Sequence, residues 1–135
     1  MYTPHTVTLI IAKDGEYNAV VLNGVFLDLN KRSNIQKSGL ADADAATLYI
    51  PFSIHTNKKY VTPKEYANKT DKARFWTLFD GGDESGAECY FVKGIADAVS
   101  YREARETYDY CYHVTSVDLR DFGRARMQHW QVGGR

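Results

Sequence analysis

The stretch that most constrains this chain is its last quarter. Tyr112-His113-Val114-Thr115-Ser116-Val117-Asp118-Leu119 is rich in β-branched and aromatic residues, and Val114, Ser116 and Asp118 alternate with Thr115, Val117 and Leu119. A second run, Arg126-Met127-Gln128-His129-Trp130-Gln131-Val132, sets Met127, His129 and Gln131 against Gln128, Trp130 and Val132. Runs with a period of two read as strands, because successive side chains of a strand point to opposite faces. Asp121-Phe122-Gly123 lies between them, in a loop too long for a two-residue turn. A closing hairpin of this kind is a structural staple, stitched into a sheet so that the chain does not fray. It holds no catalytic constellation, so assembly rather than turnover is the expected mode of action.

The rest of the chain repeats the strand signal. Residues 6–12 form a first strand, Lys13-Asp14-Gly15-Glu16 a turn, and residues 17–22 a second strand. Asn23-Gly24 then reads as a tight hairpin turn, since both positions tolerate positive φ, and residues 25–29 return as a third strand. Polar residues fill 30–46, a length that marks a functional or disordered loop. Residues 47–54 form a strand in which Pro51 indicates an edge or a bulge. A second excursion, 55–74, contains a helix start: Thr62 as N-cap, Pro63 at the first helical position, Glu65 completing a capping box. Phe75-Trp76-Thr77-Leu78-Phe79 is a short buried strand, 80–86 a turn region, and 88–93 a strand ended by Gly94. Ser100-Tyr101-Arg102-Glu103 opens a short helix to about Tyr108. The expected fold is therefore mainly β: one domain over residues 1–135, a small antiparallel barrel or sandwich with two long loops and one or two short helices. Phe26, Phe52, Trp76, Phe91, Val117 and Trp130 are its candidate core residues.

A chain of 135 residues is one domain by size and buries roughly 65–70% of its unfolded surface. Its ten tyrosines suit sheet faces and interfaces alike, because the ring packs while the hydroxyl stays wet. The net charge is zero, whereas a dedicated nucleic-acid binder carries a basic excess. The charges are nonetheless segregated: Lys58, Lys59, Lys64, Lys69, Lys72 and Arg74 precede Asp80, Asp83, Glu84 and Glu88. Two solvated loops would account for this, and so would head-to-tail complementarity between copies in a ring.

Few residues offer chemistry. Cys89 and Cys111 lack metal-ligand spacing, and although Cys111 and His113 share one side of a strand, no paired Cys-x-x-Cys accompanies them. Asp80-Gly81-Gly82-Asp83-Glu84 lacks the alternating ligands of a calcium loop. Gly81-Gly82 and Gly133-Gly134 are not phosphate loops, since neither joins a strand to a helix with the required lysine. Catalytic residues, metal and cofactor are accordingly all expected to be absent. Met1-Tyr2-Thr3-Pro4-His5 is not a secretory leader and no apolar run reaches the length of a membrane span, so a cytosolic origin with reduced thiols is expected.

Taken in order, several segments resemble a family of small phage and prophage minor-capsid or head–tail connector proteins. They are Gly24-Val25-Phe26-Leu27-Asp28, Lys37-Ser38-Gly39-Leu40 with Asp42-Ala43-Asp44, Leu48-Tyr49-Ile50-Pro51-Phe52 and Phe75-Trp76-Thr77-Leu78. Tyr90-Phe91-Val92-Lys93-Gly94, Val114-Thr115-Ser116-Val117-Asp118, Asp121-Phe122-Gly123 and Met127-Gln128-His129-Trp130 complete the set. More distantly, the chain looks like the head-closure (stopper) proteins of long-tailed phages, small β-barrels whose long loop reaches toward the DNA channel. The resemblance implies a structural virion protein of the neck, made in the bacterial host cytoplasm, with no enzyme activity and no membrane partner. Its implied partners are copies of itself in a six- or twelve-fold ring, portal or adaptor proteins, tail proteins, and packaged double-stranded DNA without sequence readout. A tail-terminator or other tail-completion protein is the near alternative. A small cytosolic ligand-binding barrel or enzyme of phage origin is the distant one. On this reading Lys31, Arg32, Lys37, Ser38 and Gly39 face the channel, or else their loop lies outward or docks on the next subunit, and Lys58, Lys59, Lys72, Arg74, Asp80, Asp83, Glu84 and Glu88 meet neighbouring subunits.

Overall fold

The first strand, β1 (His5–Lys13), is buried along most of its length on both faces. Val7, Leu9 and Ile11 point to one side and Ile10 and Ala12 to the other, and the two sets join different apolar clusters. The computed structural model describes residues 4–13, 15–29, 46–54, 56–79, 87–121, 123–124 and 127–135. The chain continues through β2 (Glu16–Leu29), β3 (Ala46–Pro51), β4 (Lys59–Tyr60), α1 (Pro63–Asn68) and a 3-10 turn at Lys72–Arg74. Then come β5 (Phe75–Trp76), β6 (Glu88–Lys93), α2 (Tyr101–Thr107), β7 (Cys111–Arg120) and β8 (His129–Gly134). Six strands close into a barrel in the order β1-β2-β3-β8-β7-β6, with every neighbouring pair antiparallel. β4 and β5 form a separate parallel pair.

The inner cluster fills the barrel with Val7, Leu9, Ile11, Val20, Leu22, Val25, Leu27, Leu48, Ile50, Phe91, Val114 and Val132. Inward residues of β2 are even-numbered up to Leu22 and odd-numbered from Val25 onward. Such a switch requires one extra residue, and the register supplies it: His5 pairs with Val25 but Thr6 with Asn23, leaving Gly24 unpaired at φ 86°. A glycine with positive φ in a strand makes a β-bulge. Asn23-Gly24 is therefore a bulge within one 14-residue strand, not the expected hairpin turn, and the expected three-stranded meander is a two-stranded hairpin. The same switch turns Phe26, expected in the core, to the outer wall, where its half-buried ring stacks between His5 and Tyr49 at 5.6 Å.

Up-and-down strands divide the connections between two ends of the barrel. At one end lie the β1–β2 turn, the excursion from Phe52 into β6, and the β7–β8 loop. At the other, Leu29 pairs with Ala46, so β2 hands over to β3 there, and the segment from Gly94 to Tyr110 carries α2. The 47–54 strand stops at Pro51, whose only cross-strand partner is His129, and Phe52-Ser53 turns away from the sheet. Pro51 has by then passed the last residue paired with β2, so its missing N–H costs no ladder bond on that side. The expected 75–79 strand keeps only its first two residues as ladder, although Trp76, Leu78 and Phe79 are buried as its apolar composition required.

Candidate functional site

The excursion after β3 closes one mouth of the barrel. Thr62 accepts the Glu65 N–H at 3.4 Å and so starts α1, whose Tyr66 is 2% exposed and belongs to the inner cluster. Its hydroxyl accepts from the Asn18 side-chain amide, which also donates to the Lys72 and Phe75 carbonyls at 3.0 and 2.8 Å. Lys58 completes this clamp, donating to Asn18 Oδ1 at 2.6 Å and to the Ala19 carbonyl at 2.7 Å. Burial holds the Lys58 ammonium below its ordinary pKa. Above the clamp Trp130 gathers Phe52 and Tyr60 at 4.6 Å and Trp76 at 5.7 Å, tying β8 to the plug.

This geometry places the expected interface cations. Lys58 is committed inside the chain. Lys59 is exposed on β4, Lys72 donates to the Lys69 carbonyl at 2.8 Å, and Arg74 pairs with its exposed neighbour Asp71 at 2.9 Å. Glu88 reaches His113 at 3.0 Å on the barrel wall. Asp80, Asp83 and Glu84 lie outside the described residues, as do the channel-loop candidates Lys31, Arg32, Lys37, Ser38 and Gly39. Of the core candidates, Trp76, Phe91 and Trp130 are buried in the inner cluster, and Phe52 and Val117 pack half-buried against it.

The outer wall carries a second feature. Ser100 accepts the Glu103 N–H at 3.3 Å and starts α2, which lays Ala104 over Ile10, Tyr90 and Val92. Thr8 ties this cover to the wall by donating to the Gly94 carbonyl and accepting from the Ala96 N–H. Beside α2, β7 presents Cys111, His113 and Thr115 on one face. The register skips Thr115 between Val114 and Ser116, so β7 bulges there. With Tyr101, Arg105, Tyr112 and Arg135 these residues line a cleft of ≈ 590 Å³. Glu88 holds His113 through Nε2, and the Tyr101 ring packs edge-on against the imidazole at 5.1 Å. The Arg105 guanidinium lies 5.6 Å from the Tyr101 centroid.

Burial raises the Cys111 thiol to about 11, and the Arg105 charge only partly opposes it. At neutral pH the thiol keeps its proton, so Cys111 and His113 share a face without forming an activated nucleophile. Among the described residues no group of three or more His, Cys, Asp or Glu side chains gathers as metal ligands, and no helix is long and apolar enough to cross a membrane. The spacing of Cys111 and His113 places them on one face, but no motif in the sequence signals the cleft, because Arg105 and Arg135 come from elements distant in the chain. The Thr115 bulge that opens it leaves only a faint trace in the imperfect alternation of β7.

Residues 2–135 match the model of a family of unknown function, DUF6751. The chain belongs to this family. No curated protein matches it, and no solved structure matches it. Membership of DUF6751 brings no activity with it, so a functional reading rests on the barrel, its two ends and the cleft.

Proposed function

We propose that this protein is a structural component of a bacteriophage neck, acting as a head-closure ring that joins the portal–adaptor complex to the tail and retains packaged DNA. One observation carries the reading: a closed barrel whose two ends are differently built. One mouth is filled by Val61, Tyr66, Trp76, Leu78 and Phe79 of the excursion after β3, and at the other Leu29 of β2 pairs with Ala46 of β3 and α2 packs on the wall. A closed sheet offers no edge for strand addition, so such a subunit associates through its ends and walls. The order of strand and turn motifs that resembles connector proteins supports the same assignment. In the ring, Lys31, Arg32 and Lys37 would meet DNA phosphates, which position a duplex without reading its sequence. Lys59, Lys72 and Arg74 would face the acidic residues of the next copy. Lys58 and Glu88 contribute less to that contact, being engaged within the chain.

The test is genetic and structural. Removing the gene should yield DNA-filled heads that leak or fail to join tails, and the protein should co-purify with tailed particles. Shortening 31–37 should leave a folded barrel while tail-less heads lose their DNA. Normal infectious particles after deletion would end the connector reading. Heads that hold their DNA after the shortening would end the channel role of the loop alone.

A further inference from the structure

The β1–β2 hairpin outruns the barrel to which it belongs. Lys13 follows Ile11, and Glu16 precedes Asn18, on the face that fills the core with Ile11 and Val20 further down, and Lys13 and Glu16 are directly opposed at the hairpin's end. Facing the plug there, Lys13, Glu16, Tyr17 and Asn18 line a pocket of ≈ 340 Å³ together with Tyr66 and Lys72. We propose that this pocket binds a free acidic α-amino acid, with its two carboxylates on Lys13 and Lys72 and its ammonium on Glu16.

The charges of the lining select this ligand. Lys13 and Lys72 bring two positive charges and Glu16 one negative, so the complementary molecule carries two negative charges and one positive. A plain dicarboxylate would set a like charge against Glu16, and a neutral side chain would leave one lysine without a counter-charge. Lys13 and Glu16 lie close enough across the hairpin to pair, yet among the described residues neither forms an ion pair. Lys72 spends one of its three donors on the Lys69 carbonyl at 2.8 Å, and its ammonium lies 6.0 Å from the Tyr66 ring centroid. The pocket floor is polar and fixed. Tyr66, 2% exposed, accepts from the Asn18 amide at 3.2 Å, which leaves its hydroxyl proton to donate to a carboxylate. Asn18 is in turn held by Lys58 and by the Lys72 and Phe75 carbonyls. Burial raises the Tyr66 pKa, and the Glu16 charge adds to the rise against the Asn18 bond, so the hydroxyl stays protonated and Glu16 acts on the same space. The volume, ≈ 340 Å³, lies near the small end of the roughly 300–1,000 Å³ of ligand sites, as a single amino acid requires.

This inference goes beyond the neck assignment. Lys72 alone is common to the two and is left intact in the test, so particles carrying variants at Lys13 or Glu16 should still join heads to tails whatever the binding result. Titration of the whole protein with L-glutamate, L-glutamine and glutarate, at ionic strength fixed with sodium chloride, tests the pocket. L-glutamate should bind saturably and about tenfold more tightly than either of the others, as expected for one hydrogen bond between charged groups. Calorimetry follows the affinity, and amide chemical shifts at 16–18 and 66–73 locate it. Lys13→Ala should weaken L-glutamate binding about tenfold and narrow its lead over L-glutamine. Glu16→Gln should remove the preference for L-glutamate over glutarate. Lys64→Ala, which deletes an equal charge from the exposed face of α1, should change neither. Melting curves identify any variant that has lost its fold, and Lys13→Gln then serves in place of Lys13→Ala, with the same loss expected. Glutarate or L-glutamine binding as tightly as L-glutamate, no saturable binding at all, or Lys64→Ala losing as much as Lys13→Ala would overturn the proposal.

Discussion

α1 and α2 begin alike, each with a hydroxyl at the N-cap accepting the N–H of a glutamate three residues on, and both are short. α1 nevertheless sends Tyr66 into the barrel mouth, while α2 lays Ala104 against the outside of β1 and β6. The capping box fixes where a helix starts, and the side chain on its buried face decides what the helix covers. Tyr66 is long enough to reach the Asn18 amide and carries the hydroxyl that amide needs. Ala104 is small enough to bring the helix close to the wall. One helix thus belongs to the large inner cluster and the other to a thin second layer.

The sharpest way to break this comparison is to attack the inner layer where it meets the sheet. Trp130→Ala should cost about 3–5 kcal/mol, the usual range for removing a large buried aromatic. Phe52, Tyr60 and Trp76 all lose their common neighbour in this variant. Chemical denaturation measures the cost, and an unchanged midpoint would mean that the plug holds without β8.

Alkaline pH probes both layers together. Burial raises the phenol pKa values of Tyr60 and Tyr66 inside and of Tyr90 and Tyr101 outside, with Tyr90 raised furthest. A raised folded-state pKa means that the unfolded chain sheds its proton first. These groups therefore contribute fully below about pH 10, and the contribution is lost as pH climbs from there through the folded values. Lys58 acts in the opposite sense: with its folded-state pKa lowered, it favours folding slightly as pH rises toward the ordinary lysine range. Stability measured by denaturation should fall overall, because these four phenols and that of Tyr112, raised likewise by burial, outnumber the one lysine. Tyr90→Phe should flatten the fall more than Tyr66→Phe does. A larger flattening from Tyr66→Phe would place the tighter layer inside.

The smallest effects belong to the caps. Thr62→Ala and Ser100→Ala should each cost about 1 kcal/mol. Hydrogen exchange should separate them: loss of the Thr62 cap should loosen amides as far as Val61 and Trp76, which share a hydrogen bond at the plug, and loss of the Ser100 cap should loosen α2 alone. Spread from α2 into β6 would show that the outer layer is no thinner than the inner one.

These two helices were also the most legible parts of the chain, because capping is local and its residues sit three apart. β6 was legible for the same reason, ending at Gly94 as its positive φ of 94° permits. Asn23-Gly24 was not. The dipeptide tolerates the same backbone angles in a hairpin turn and in a bulge, and only the shift from Val20 and Leu22 to Val25 and Leu27 distinguishes them. That shift is written in the sequence, but it acquires meaning only once one face is known to be inside. Burial of Trp76 could be read from its apolar surroundings, whereas its parallel pairing beside Tyr60 joins segments with no local signal in common. The cleft was illegible for a stronger reason: its arginines lie on different elements, and only the packing of α2 on β7 and the pairing of the chain after β8 with β7 at His113 bring them to one side.

β8 joins β3 to β7, and it follows both in the chain. Until it docks, the other five strands make an open sheet with two unsatisfied margins, one along β3 and one along β7. Such margins are templates for pairing with any other extended chain. Joining β3 to β8 also closes a long loop before its contacts give any return, which makes barrels of this kind slow, on the order of milliseconds to seconds. The period of greatest danger for this protein therefore falls during its synthesis, when β3 is already exposed and its partner has yet to emerge. Fitting β8 depends on glycine as well: a Cβ at Gly134 would lie 2.8 Å from Phe91 Cζ, so the strand that ends the danger tolerates little change at its own tip.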